Sequence, residues 1–500
     1  MNSHRSARRS FLVPTLLAVA GLAPALMACH RDTGTAQLTS AAASASPGDT
    51  ARQPIPDADI TRAVQRHLEE DTALRSERVE ATVTNGICTL TGTVRNLLAK
   101  ERALHVAETL RGVRSVIDRV DVMPVVRTDE QLKTDVTSAL KNDAVTRAHP
   151  VTVAASDGKV MLSGVVASWP EKGIFEQVAK AVRGVNSVDN KLAVKYPLTP
   201  PESEIAADVQ HRIANDVWLD GNSIGVTVTG RTVHLKGVVG SVAEKNRARS
   251  DGWLAGVDAV DDAGVVVDWA KRDDQRSVIA YAFRADDDIA RAVHDAFNRD
   301  PRLVTLEPKV SVHNGTVELT GAVDSAKARR AAELDAKDTV GVADVHDAAT
   351  VQPSGKPTDA DVNGSVKRAL SEDLLLPDSS DIRASTTKGK VVLQGEVKSG
   401  FERVDAIADT ASVPGVTDIV DELAVKCSPQ DVKADIDDRL YWDASVQRDR
   451  VKVAVGPDGV ATLSGTLDSW SEIRAAVDDA MLGGARRVVN VLQLKKRPSK

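Results

Sequence analysis

One interval constrains this chain more than any other feature: a glycine-bounded run of alternating residues returns six times along it. The run reads Gly86-Ile-Cys-Thr-Leu-Thr-Gly92 in the first copy. It recurs at Gly158 to Gly164, Gly315 to Gly321, Gly389 to Gly395 and Gly459 to Gly465. The third copy, Gly230-Arg-Thr-Val-His-Leu-Lys-Gly237, reads one residue longer. The closing glycines Gly92, Gly164, Gly237, Gly321, Gly395 and Gly465 fall 72, 73, 84, 74 and 70 residues apart. Nineteen or twenty residues after each comes a second glycine: Gly112, Gly184, Gly256, Gly341, Gly415 and Gly484. Two landmarks at a fixed separation, six times over, define an internal repeat in which each copy is one supersecondary unit. Both sets of glycines read as structural.

Each unit opens with apolar residues spaced by three and four, as in Ile60, Val64 and Leu68, or Ile289, Val293 and Phe297. That spacing predicts an amphipathic helix with one buried stripe. Acidic residues such as Asp286, Asp287 and Asp288 sit in its first turn, where they suit the helix dipole. Two alternating strands follow, joined by Asn85-Gly86, Asp157-Gly158, Asn314-Gly315 or Asp458-Gly459, residues that tolerate the positive φ of a tight hairpin. A second helix is predicted from roughly Asn96 to Arg111, capped by Gly112. A third strand closes the unit.

The expected fold class is α+β: six tandem modules of order helix–strand–strand–helix–strand. Each is a three-stranded mixed sheet with both helices on one face, consistent with a right-handed crossover. The expected boundaries are 57–123, 128–195, 202–268, 286–352, 358–426 and 429–494. Units this small bury little surface, so packing between neighbours would add to their stability. The wide interval of 84 marks residues 269–285 as a linker or short helix dividing the chain into two triplets.

The N-terminus has the layout of an export signal over residues 1–28: arginines, an apolar stretch, then small residues. Leu26-Met27-Ala28-Cys29 resembles the lipobox of bacterial lipoproteins, which implies acylation of Cys29; a plain signal peptide with a free cysteine is the alternative. Arg8-Arg9 leaves open the general secretory or the twin-arginine route. Residues 29–56 are too poor in large apolar side chains to bury a core and read as a tether.

The formal charge is −7; without the three leader arginines, 61 basic residues face 71 acidic ones, a net −10. Such a balance excludes nucleic-acid binding through bulk charge. Aromatic content is 3%, which disfavours a deep aromatic-lined pocket. Cys88 stands where other copies have Val160, Val317 and Val391 and reads as a core residue. The pattern around Ser223 lies between a helix and a strand, the reverse of a nucleophile elbow. His67, His211 and His294 lie in first helices of different copies, without metal-ligand spacing. No catalytic residue, cofactor or metal is expected. Trp169, Trp218, Trp442 and Trp470 are candidates for contact with a membrane or partner, or for local packing. Residues 495–500 form a basic tail.

The arrangement, with its two sets of glycines, resembles the BON domain, the bacterial osmotically inducible and nodulation module, over residues 57–494. The resemblance implies a non-enzymatic protein on the periplasmic side of the envelope, the outer membrane being favoured. It implies binding of phospholipid or other envelope components under osmotic or other stress. A protein-interaction scaffold or chaperone-like holdase is the alternative. The implied partners are the membrane, through the N-terminal lipid, and anionic phospholipid or envelope proteins. Six copies exceed the usual one to three.

Overall fold

The computed structural model describes residues 54–495 apart from 124, 144, 197, 221–222, 279–283, 304–307, 354, 356, 377–380 and 426–428. Cys29, its flanking leader and tether, Cys427 and the tail beyond Lys495 lie outside the described residues.

Module one contains α1 (Asp57–Glu70), β1 (Arg78–Thr84), β2 (Ile87–Val94), α2 (Leu97–Thr109) and β3 (Ser115–Val122). β1 pairs antiparallel with β2, and β2 pairs parallel with β3, so the second strand is central. The same order and pairing recur in all six modules. In module four the second and third strands each break into two pieces, the second at Gly321. On α1, Ile60, Ala63, Val64 and Leu68 are buried; on β1 the buried positions alternate as Val79, Ala81 and Val83. Helical and strand periods thus deliver one apolar face each to a common core.

Asn85 (φ 53°) and Gly86 (φ 73°) form the module-one turn, and Asp57 secures it from α1. Its carboxylate accepts from the amides of Asn85 at 2.7 Å and Gly86 at 3.0 Å. Asp286 binds Asn314 and Gly315 in the same way, and Asp359 binds Lys388 and Gly389. Acidic residues at the helix starts therefore fasten the hairpins as well as facing the helix dipole.

Three local expectations are corrected. The second strand of module three, Thr232–Val239, is the same length as β2; its turn simply reads Gly230-Arg231 (φ 55° and 61°). The extra residue lies in the third strand, Ala259–Val267, where the register shifts between His234 and Lys236. Module six replaces the two-residue turn by a longer loop, in which Gly459 donates to the Gly456 carbonyl. α2 ends at Thr109, before Arg111, because the following residues pair with another module: Leu110 bridges Asp443.

Four of the closing glycines, Gly92, Gly237, Gly395 and Gly465, answer to close approach, while Gly164 and Gly321 have room for a Cβ and are set apart by their positive φ. A Cβ on Gly92 would lie 1.9 Å from the Arg78 carbonyl oxygen. The later set lets the chain pass α1: a Cβ on Gly112 (φ 89°) would lie 2.6 Å from Ile60 Cδ1.

The modules pack against one another. Modules one and three share a buried apolar cluster that also takes in Leu375 and Trp442. The second helices of modules one and three pack together, as do those of modules four and five, and of five and six. In one backbone bridge, Arg111 N–H donates to the Trp442 carbonyl at 2.7 Å and Ala444 N–H donates to Thr109 at 3.1 Å. Another joins modules three and four: Val217 N–H donates to Asp338 at 2.9 Å and Val340 N–H donates to Asn215 at 2.9 Å. Equivalent residues, three modules apart, make the same contact twice. The two triplets are thus pressed together rather than held apart. The expected divider is the helix Trp269–Val278, and it serves as a wedge. Arg272 is fully buried, pairs with Glu244 at 2.8 Å and donates to the Ala444 carbonyl of module six. Among the described residues no helix is long and apolar enough to cross a membrane.

Candidate functional site

The first helix of every module is followed by an aspartate: Asp71, Asp143, Asp216, Asp300, Asp373 and Asp443. Each carboxylate accepts from the amide two residues on, as in Ala73 to Asp71 at 3.0 Å and Trp218 to Asp216 at 2.9 Å. The Asx turn satisfies amides just beyond the helix and buries a negative charge where modules meet.

What neutralises that charge differs between copies. Arg102 Nε meets Asp71 at 2.7 Å, and Arg247 meets Asp216 from the equivalent second-helix position. Asp143 is met by Lys327 of module four at 2.8 Å. Burial alone would push the Asp143 carboxyl up, but the Lys327 ammonium and two backbone amides hold it below the ordinary range. Asp300 is met by Arg302 two residues on. In module five the cap faces two further carboxylates. The position of Arg102 and Arg247 is Asp405, and one helical turn later stands Asp409, where module one has Val106. One carboxylate oxygen from each of Asp373, Asp405 and Asp409 lies within 4.8 Å of the other two. Burial, reinforced by the mutual repulsion of the carboxylates, pushes Asp405 and Asp409 well above their usual range.

The acid-rich interior continues into neighbouring modules. Asp335 and Asp479 are pushed up by burial and by a nearby carboxylate, Asp300 and Asp443 respectively. Burial raises Asp251 and Glu108 to about 7. His105, buried beside Arg102, is lowered to about 4. These groups lie on the second helices: Glu108 faces Asn246 and Arg249 of module three, while Asp251, Asp335 and Asp479 face the cap aspartates of their own modules.

Of the four tryptophans, Trp442 is buried and Trp169, Trp218 and Trp470 are half-buried, each packed against other parts of the chain, as in the packing alternative. Trp169 packs on Trp253 of module three with ring centroids 4.2 Å apart. Trp218 packs against the module-six core, and Trp442 joins the cluster of modules one and three. The Trp470 amide donates to Asp220 of module three at 3.2 Å, while its ring lies against its own core. Among the histidines, His67 reaches Asp438 of module six at 3.0 Å, so it is neither solvated nor a ligand cluster. Cys88 is fully buried with a free thiol, pushed up by burial to about 11.

The carboxylate trio escaped the sequence reading because Asp405 and Asp409, one helical turn apart, read as an ordinary acidic helix face until packing brings Asp373 to them. Aligning the copies at their second-helix caps would have exposed the change from arginine to aspartate.

On the outer side, the strand residues that alternate with the core ones face solvent, and Ile87, Ile117, Val165, Val266 and Val491 are exposed there. A groove of about 860 Å³ runs between the first helices of modules one and six, past Arg62, Arg66, Glu69, Asp438 and Tyr441.

A repeat of small mixed-sheet modules, with its second helices packed inward and its sheets turned out, defines a multi-module α+β architecture. The BON domain family model matches residues 56–124, 128–196, 201–268, 285–353, 358–427 and 429–496; the chain belongs to the BON domain family. It is 31% identical over 146 residues to osmotically-inducible protein Y of Escherichia coli (strain K12), covering 28% of this chain and 73% of that protein. It is 29% identical over 140 residues to outer membrane lipoprotein DolP of Haemophilus influenzae, covering 27% and 72%. Among solved structures, the C-terminal domain of CdsD, the structural protein of the type III secretion system of Chlamydia trachomatis, is 19% identical. It covers 43% of this chain and 100% of that domain, with a TM-score of 0.12.

Proposed function

We propose that this chain is a non-enzymatic, exported protein of the cell envelope, anchored by lipid at Cys29. Its six BON modules bind phospholipid or other envelope components and support envelope integrity under osmotic or other stress. The observation that carries the reading is the orientation of the modules. Their second helices are turned inward and pack against one another, which leaves the outward sheets, together with the outer faces of the first helices, as the surface available to ligands. Repetition among modules packed together gives avidity: weak single-module contacts combine when several sites engage one surface. The names of the two relatives, an osmotically inducible protein and an outer membrane lipoprotein, support the setting.

Two measurements test it. Labelled palmitate should be incorporated into the wild-type protein and lost in Cys29→Ala, which should move to the soluble fraction. The acyl-free chain should co-sediment with anionic vesicles at low salt. Failure to sediment removes the lipid version.

The open sheet edges favour a second reading. The first and third strands of every module are edges within their sheets. Thr61 and Gln65 already take the Val83 and Ala81 amides of β1, and Lys100 the Val120 carbonyl of β3, so an added strand would pair with the groups left over or displace these side chains. A scaffold or holdase would use them. Cross-linked pull-down from envelopes, or suppression of aggregation of a client protein, tests this reading.

A further inference from the structure

We propose that Asp373, Asp405 and Asp409 hold a hard divalent cation, of the calcium or magnesium class, where module five meets modules one and four. The inference is independent of any envelope role.

The geometry suits such an ion. One oxygen from each carboxylate lies within 4.8 Å of the other two. Oxygens on opposite sides of a calcium ion stand about 4.6–5.2 Å apart, given Ca–O distances of about 2.3–2.6 Å. The three side chains can therefore close on one cation without moving the backbone that carries them.

A second observation concerns Asp409. It is 0% exposed, and no N–H or hydroxyl donor reaches either carboxylate oxygen; the neighbouring Asp373 carboxylate can bond it only by sharing a proton. Asp405 Oδ2 is buried and unpartnered as well. Asp373, by contrast, has Oδ1 committed to the amides of Leu375 and Leu376. A buried carboxylate without donors is among the costliest groups a protein can carry, and it is relieved by a proton or a cation. One proton serves a pair of carboxylates; a divalent ion serves all three at once.

The other modules show what the position ordinarily does. Arg102 and Arg247 bring a covalently attached cation to the cap aspartates of modules one and three. Module five removes that cation at Asp405 and adds a carboxylate at Asp409. The nearby guanidiniums do not replace it. Arg102 is committed to Asp71 and lies over the Phe401 ring at 4.3 Å, while Arg330 approaches Asp405 without hydrogen-bonding the trio. Asp373 is only half-buried, which gives the ion a way in from solvent.

The test uses the full chain, stripped with EDTA and titrated separately with CaCl₂ and MgCl₂ near neutral pH at constant ionic strength. Calorimetry should show one saturable site, and the melting temperature should rise with the added ion. Asp405→Asn and Asp409→Asn should each abolish both responses while melting no lower than the stripped wild type, since each removes a buried charge. Asp479→Asn, in another acid-rich junction, should leave the binding intact. Absence of heat and of stabilisation with both ions overturns the proposal, as does a response that persists in Asp409→Asn. Should one asparagine variant fail to fold, the other decides whether the saturable site seen in the wild type lies at the trio.

Discussion

Lys327 of module four and Asp143 of module two form an ion pair at 2.8 Å across 184 residues of sequence. The pair shows how this chain differs from a string of beads. A cap that modules one and three neutralise from within is neutralised in module two by a side chain from the other triplet.

Lys327→Ala should therefore destabilise by about 3 kcal/mol, since removing one partner of a buried pair leaves the other uncompensated. Asp143→Asn combined with Lys327→Ala should recover most of that loss. Urea unfolding of the two single variants and the double variant measures it; equal stability of Lys327→Ala and wild type would refute the role assigned to this pair.

Arg272 wedges modules three and six together through Glu244 and the Ala444 carbonyl. Arg272→Ala should cost about 3 kcal/mol, the scale for a buried charge left unpaired. Small-angle scattering should also show a larger radius of gyration. An unchanged radius together with unchanged stability would show that the helix Trp269–Val278 merely sits in place.

Two glycines should respond in opposite directions. A Cβ on Gly465 would lie 1.9 Å from the Arg450 carbonyl oxygen, so Gly465→Ala must push the first two strands of module six apart. We expect a loss of about 2 kcal/mol or more, the scale at which backbone incompatibility outweighs the gain from reduced unfolded-state entropy. Gly173 lies inside the helix Trp169–Lys180 with nothing within 4 Å of an added Cβ. Gly173→Ala should stabilise by about 0.5–1 kcal/mol. Thermal melts followed by circular dichroism check both.

Stability should fall as pH rises from weakly acidic to alkaline. Asp251 and Glu108 are raised to about 7 and Asp478 to about 6, each by burial first. Such groups keep their protons in the fold where the unfolded chain has lost them. Their contribution is complete below the unfolded carboxylate pKa and disappears as pH passes through the folded values. His105, lowered to about 4, acts in the opposite sense, losing its contribution as pH drops below the ordinary histidine range. The raised acids outnumber it, so the metal-stripped chain should melt higher near pH 5.5 than near pH 8. Asp479→Asn should flatten the slope. A melting temperature that climbs steadily through that interval would contradict the assignment.

Cys88 should resist thiol reagents in the native state and react only on unfolding, because its sulfur is buried and its thiol pushed up to about 11. Cys88→Val, copying Val160, Val317 and Val391, should change stability by less than about 1.5 kcal/mol. Rapid labelling of the folded chain would contradict this.

Local order was legible because it is written in short-range chemistry. Apolar spacing along Ile60, Val64 and Leu68 gives a helix, and Asn85-Gly86 gives a hairpin. The glycines mark the repeat because their positions call for a positive φ, a close approach to a neighbouring carbonyl as at Gly92, or passage beneath a helix as at Gly112. The tertiary structure decided which faces meet. Nothing near Asp143 in sequence announces Lys327. The residues after Thr109 leave the helix for a bridge to Asp443 that no local preference encodes. The carboxylate trio depends on this as well. Its charges converge because a cap, a helix turn and the contact between modules place them together, and such convergence is a property of packing in three dimensions, invisible to residue spacing along a chain.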